Sequence, residues 1–171
     1  MHVIIMRGAP GSGKSTWVNA TVQLLGPEFC KVVSADQHRY VGETYVYDSK
    51  KNEEVHGKCL RDFLDVVRVP QPGYVFVDNC NTKAWHLAPY YQTAAAFGHV
   101  VWVVNMIASW KDLLGRSRHC TSAAATFDMH RDMQVEQLPA HWRQAFITSF
   151  SVHDSITYDV HGLPDFFKRK E

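Results

Sequence analysis

Gly8-Ala-Pro-Gly-Ser-Gly13-Lys14-Ser15 decides the fold of this chain. It fits G-x-x-x-x-G-K-[ST] at every fixed position. The apolar run Val3–Met6 precedes it, and a helical pattern over Ser15–Leu25 follows, with Val18, Thr21, Val22 and Leu25 on one stripe. Strand, glycine-rich turn and helix is the context this motif requires. Glycines let the backbone close into a concave nest whose N–H groups point inward at phosphate oxygens. The N-terminus of the following helix adds unpaired N–H groups and a partial positive charge. Lys14 is expected on the β- and γ-phosphates of a nucleoside triphosphate and the Ser15 hydroxyl on Mg²⁺. Gly8, Pro10, Gly11, Ser12, Gly13, Lys14, Ser15 and Thr16 form the expected ATP-binding set.

Outward from this loop, short apolar runs alternate with helical stripes. Cys30–Val33, Tyr74–Val77 and Val100–Val104 read as strands buried on both faces. Asn52–Val67 carries Val55, Cys59, Leu60, Phe63, Leu64 and Val67 at helical spacing and stops before the turn cluster Pro70-Gln-Pro72-Gly73. Helices are also predicted over Tyr90–Phe97 (closed by Gly98), Trp110–His119, Met129–Gln137 and Pro139–Ser149, and a last strand over Ile156–Val160. The final Phe-Phe-Lys-Arg-Lys-Glu reads as a solvated tail. The alternation predicts a three-layer α/β fold with a mainly parallel sheet. At 171 residues it is expected to form a single domain over 1–171.

Composition narrows the classes further. The formal net charge is +1, so any polyanion site must be local rather than global. Four separated cysteines with no C-x-x-C pair indicate neither a zinc ribbon nor a disulfide framework. No apolar run approaches membrane-spanning length, and neither a signal peptide nor an obligate protein partner is indicated. A cytoplasmic enzyme is the expectation.

Several absences sharpen the reading. The stretch Asn105-Met-Ile-Ala-Ser does not supply the N-K-x-D of guanine-specific switches. After the strand ending in Asp78 stands Asn79, where motor ATPases place a glutamate that primes water. A site without that glutamate suits transfer to an acceptor other than water. Asp36, after the second strand, is then either the base for an acceptor hydroxyl or merely the cap of the next segment. Arg39 follows three residues later. Arg116 and Arg118 are candidates to neutralise charge on the transferred phosphoryl group.

Taken together, these motifs resemble the polynucleotide-kinase-like P-loop kinases over roughly residues 2–120. Residues 8–17 look like that family's phosphate loop. Ser34-Ala-Asp36-Gln-His-Arg39 falls where the family carries its catalytic aspartate and an arginine near the acceptor. Val77-Asp78-Asn79-Cys80-Asn81-Thr82 followed by Ala84-Trp85-His86-Leu87-Ala88-Pro89-Tyr90 is close to its D-N-T-N-x-x-A-W-x-x-x-P-Y signature. The resemblance implies a P-loop kinase domain with a small helical lid at about 110–135, dependent on ATP and Mg²⁺ and acting on a hydroxyl of nucleic acid. Asp36, Lys14, Arg116 and Arg118 are its implied catalytic residues; Arg39, Asp78, Asn79 and Asn81 are implied on the substrate side. The second-acid role is split between Asp78 and Asn79. The 5′-hydroxyl end of a polynucleotide, DNA or RNA, is the first expected acceptor. The hydroxymethyl group of 5-hydroxymethyluracil in DNA is the alternative, with Tyr40, Tyr45, Tyr47, Trp85, Tyr90 and Tyr91 available to stack a flipped base. A small-metabolite kinase or a nucleotide-binding ATPase stands behind both.

Overall fold

The computed structural model describes residues 1–69, 73–116, 121–152 and 155–167. In chain order the elements are β1 (His2–Arg7), α1 (Lys14–Leu25), β2 (Cys30–Val33), β3 (Tyr40–Val41), β4 (Thr44–Tyr45), α2 (Asn52–Val67) and β5 (Tyr74–Val77). Then come α3 (Ala84–Ala96), β6 (Val100–Ala108), α4 (Trp110–Arg116), α5 (Ala123–Val135), β7 (Gln144–Val152) and β8 (Ser155–His161). The main sheet has the order β2-β5-β1-β6-β7-β8, and β3 with β4 forms a separate ribbon. Only β8 runs antiparallel within the main sheet. This is the α/β fold with a mainly parallel sheet that the alternating pattern predicts.

β1 lies at the centre because Val3, Ile4, Ile5 and Met6 are all fully buried, alternating between two cores. Val3 and Ile5 meet Val55, Cys59, Phe63 and Val67 of α2 and Leu87, Tyr90 and Ala94 of α3. Ile4 and Met6 meet Trp17 and Val18 of α1 on the other face. The helical stripe read over residues 52–67 is therefore the face α2 buries. Among the described residues no helix is long and apolar enough to cross a membrane.

Four expectations need correction. Residues 144–149 form part of a strand, not a helix. Ala145, Ile147 and Ser149 are buried while Phe146, Thr148 and Phe150 are exposed, the period-2 alternation of a sheet with one covered face. Pro139 instead makes a turn, its carbonyl accepting from Trp142 N at 3.0 Å. α3 starts at Ala84 and carries Pro89 inside it. Its first N–H, on Ala84, is capped by the Glu136 carboxylate at 2.9 Å, a partner 52 residues away. α5 begins at Ala123, where the Ser122 hydroxyl accepts from Ala125 N at 3.2 Å, and ends at Val135. Lastly, the tail is not wholly solvated: Phe167 is buried and meets Tyr74 edge-on at 5.8 Å.

Candidate active site

The C-terminal ends of β2, β5 and β1, parallel neighbours, lie side by side at one end of the sheet. β1 leads into the glycine loop, whose Gly11 and Gly13 take φ of 78° and 89°. A Cβ on Gly11 would run into the carbonyl oxygen of Leu113 on α4, so the glycine is required by conformation and by contact. Gly8 N donates to Cys80 O at 2.8 Å and Ser12 N to Ala9 O at 3.2 Å. Lys14 is folded back onto this loop. Its Nζ donates to the carbonyls of Gly8 and Ala9, each at 3.0 Å. Ser15 and Thr16, by contrast, lie exposed at the start of α1.

Asp78 ends β5 directly beside this lysine. Burial pushes its carboxyl well above the ordinary range, against the pull of Lys14 and of a hydrogen bond from Ser15. Its Oδ1 is buried with no hydrogen-bond partner. An orphaned carboxylate oxygen beside a serine hydroxyl fits a hard divalent cation such as Mg²⁺, which takes few protein ligands and keeps waters and phosphates for the rest. Asn79 is turned elsewhere: Oδ1 accepts from Ala35 N at 2.8 Å and Nδ2 reaches Cys59 Sγ at 3.4 Å. Of the two residues sharing the second-acid expectation, Asp78 is the one at the phosphate loop.

Asp36 sits in the short 3-10 turn Ala35–Arg39 that follows β2. The cap of that turn is Ser34, whose hydroxyl accepts from Asp36 N at 3.3 Å and donates to Asp78 O at 2.8 Å. The Asp36 carboxylate is left for other work. Tyr45 on β4 donates its hydroxyl to Oδ1 at 3.0 Å, and Arg39 Nε lies 3.3 Å away, an ion pair without hydrogen-bond geometry. Burial, then the Asp36 charge, pushes the Tyr45 phenol far above its usual range, so it remains a donor. Arg39 is buried; it donates to Asn52 Oδ1 at 2.6 Å and lies over the Tyr47 ring at 4.8 Å. His56 faces this pair with its pKa lowered by burial and then by Arg39. Asp36 also raises the pKa of Asp78, so the two carboxylates share one field.

Arg116 closes the other side, at the end of α4. Its Nη2 pairs with Asp112 Oδ1 at 2.7 Å, and it donates to Ser151 Oγ from Nε (3.0 Å) and Nη2 (2.7 Å) and to Ser149 Oγ from Nη1 (3.0 Å). The fully buried Ser149 hydroxyl passes the link on to Ser12 O at 2.8 Å. Arg118 lies outside the described residues. Asn81 is found beneath the loop, at φ 48°, donating from Nδ2 to Met6 O at 3.0 Å. Beside it the buried Arg7 binds Thr82 O at 2.9 Å and Asn105 Oδ1 at 2.9 Å. A cavity of about 260 Å³ behind the loop is lined by Arg7, Ala9, Leu113, Met133 and Phe146. It contains none of Lys14, Asp36 or Asp78, so the phosphate and acceptor groups lie apart from it.

Sequence reasoning gives no role to Ser34 or Ser149 and places Tyr45 only among the rings available to stack a base. Gly42, at φ 61° between Tyr-Val and Thr-Tyr, was a readable hairpin signal for Tyr45. For Ser149 there was none, because its partner is 137 residues away.

A family model described as an AAA domain, AAA_33, matches residues 3–135. Among solved structures, the chain is similar to a component of the Pnkp1/Rnl/Hen1 RNA repair complex, at 15% identity and TM-score 0.62 over 78% of this chain. It spans 44% of that component's length. A fungal RNA kinase matches at 13% identity and TM-score 0.57, covering 90% of this chain and 77% of that one. A gluconokinase from Sinorhizobium meliloti 1021 matches at 15% identity and TM-score 0.58, covering 86% and 82%. At these identities the likeness is one of fold.

Proposed function

We propose, from the premise that this chain belongs to the AAA_33 family of AAA domains, that it is a kinase moving the γ-phosphate of ATP to a hydroxyl on nucleic acid, first of all a 5′-hydroxyl end. The observation that carries this reading is Asp36: a carboxylate released from capping, oriented by Tyr45 and Arg39, and near enough to Asp78 for its charge to act on it. Asn79 adds support, because its amide is spent on Ala35 and Cys59 and offers no carboxylate to water.

In this reading the glycine-loop amides hold the β- and γ-phosphates, and Lys14 leaves the carbonyls of Gly8 and Ala9 to neutralise them. Asp36 takes the proton of the acceptor hydroxyl as its oxygen bonds to the γ-phosphorus. The bond from that phosphorus to the bridging oxygen breaks, and ADP leaves with the electron pair. Asp78 and Ser15 are the residues that would hold Mg²⁺, which supplies charge neutralisation at the phosphates. Arg116, or Arg118 beyond it, neutralises the phosphoryl oxygens, and Arg39 contacts the acceptor strand.

Transfer from γ-labelled ATP to a panel tests the reading: 5′-hydroxyl oligonucleotides of DNA and RNA, hydroxymethyluracil DNA, free nucleosides, a sugar acid, and water. Label on a 5′-hydroxyl end is expected. Label confined to the modified base, a small metabolite or free phosphate replaces the proposal with the corresponding acceptor.

A further inference from the structure

The ribbon that follows Asp36 spends only part of its apolar surface inside the protein. Two-stranded ribbons are marginal by themselves. This one is held by Val46 N donating to Arg39 O at 2.9 Å, by Tyr40 edge-on to Tyr45 at 5.5 Å, and by Tyr45 on Asp36. Tyr40, Val41, Val46 and Tyr47 remain 51%, 70%, 46% and 57% exposed. One exposed apolar side chain needs no explanation, but four within eight residues at the mouth of a site do.

The tyrosines are fixed rather than loose. Arg39 lies over the Tyr47 ring, and Asn52 Nδ2 donates to its hydroxyl at 3.5 Å. Tyr40 leans on Tyr45, which in turn holds the carboxylate. Lys50 and Lys51 stand three and four residues beyond Tyr47, near Glu43 and Asp48 in sequence, while the Arg39 charge is spent on Asp36. Asp48 is already engaged by Lys50 N at 2.9 Å. Flat rings set beside cations match one polymer in particular. Unpaired bases offer π-faces to the rings, and their phosphates meet the lysines. A duplex keeps its base faces stacked inside and offers the rings nothing.

We infer that the β3–β4 ribbon is a base-stacking platform holding the unpaired nucleotides adjoining the acceptor hydroxyl, with Tyr40 and Tyr47 as its rings. This rests on the reading above that the acceptor is nucleic acid. The platform therefore selects single strands over blunt ends.

Fluorescence anisotropy with a 3′-labelled, 5′-hydroxyl oligothymidylate and with a blunt duplex of equal length tests it. The wild-type chain is expected to bind the single strand more tightly. Tyr40→Ala/Tyr47→Ala should weaken that binding by about tenfold or more, and Tyr40→Phe/Tyr47→Phe should leave it within about twofold. Tyr40→Leu/Tyr47→Leu keeps apolar cover without a flat ring and should lose as much as the alanine pair, which separates stacking from misfolding. Unchanged binding in the leucine pair, equal affinity for duplex, or no binding by wild type overturns the platform. Phosphoryl transfer from γ-labelled ATP by the wild-type chain to the same 5′-hydroxyl oligothymidylate at saturating concentration is read separately; its absence counts against the kinase reading and leaves the binding result standing.

Discussion

Asp36 and Lys14 carry separable duties, and substitution can tell them apart. Asp36→Asn keeps the shape that Tyr45 and Arg39 grip while removing the basicity. Turnover should fall by ~10²–10⁴ with ATP affinity little changed, because a general base acts in the transition state. Melting temperature, ATP affinity and turnover measured on one preparation check this, and near-normal turnover retires the assignment. A capping role for Asp36 predicts lost stability instead, but the cap is already supplied by Ser34. Lys14→Ala should abolish transfer in a protein that stays folded by circular dichroism, since the loop carbonyls it now satisfies can turn to water. Arg116→Ala is expected to do two things at once. It should slow turnover by ~10³ or more, as a lost phosphoryl-stabilising arginine does, and it should lower the melting temperature by removing the hub of the Asp112, Ser149 and Ser151 network. A large drop in stability with turnover intact would move the catalytic duty to Arg118.

At the scale of elements, α4 is seated directly on the glycine loop. Gly11→Ala forces a left-handed residue to carry a Cβ and drives that Cβ at Leu113 O. The backbone cost alone is about 1–2 kcal/mol, or about 2–8 °C in melting temperature for a chain of this size. Nucleotide affinity should fall with it, measured by calorimetry, because α4 has to back away. Which elements could be read from sequence follows from where their determinants lie. The strand, loop and helix of residues 2–25 are decided by neighbours: buried β1 residues, glycines with positive φ, a stripe on α1. α2 was legible for the same reason, its stripe being its buried face. The start of α3 was not, since Glu136 caps it from across the chain. The helix expected over Pro139–Ser149 gives way to β7, where Phe146, Ile147, Thr148 and Ser149 alternate out and in. Of the site, the glycine loop, Asp36 and Asp78 were legible as motif and strand-end residues. Tyr45 reaches Asp36 through the local β3–β4 hairpin, whereas Ser149 reaches the loop only through tertiary pairing.

For the molecule as a whole, the buried acid at the end of β5 sets a stability that depends on pH. Burial raises the folded-state pKa of Asp78, so folding favours its protonated form. That contribution is fully present below the ordinary carboxylate pKa and is lost as pH rises through the raised folded value. In metal-free protein at neutral pH, Asp78→Asn should therefore raise the melting temperature, by about 2–4 °C for each kcal/mol relieved. The gap should close as pH falls below the ordinary carboxylate range. An unchanged gap across that window means the carboxyl is not held in its neutral-favouring setting. The gain in stability should come with loss of Mg²⁺-dependent turnover.

The glycine loop is fastened by residues far along the sequence. Ser149 holds Ser12 O, and Tyr158 donates its hydroxyl to Gly13 O at 3.2 Å, across sequence separations of 137 and 145 residues. On the ribosome the loop emerges well before the residues that fasten it. At ordinary synthesis rates that interval is on the order of ten seconds. Throughout it the growing polypeptide has its phosphate nest in sequence but lacks the strand that steadies it. Nascent chains stalled before β7 should thus fail to retain ATP, while chains released beyond β8 acquire that capacity in a single step.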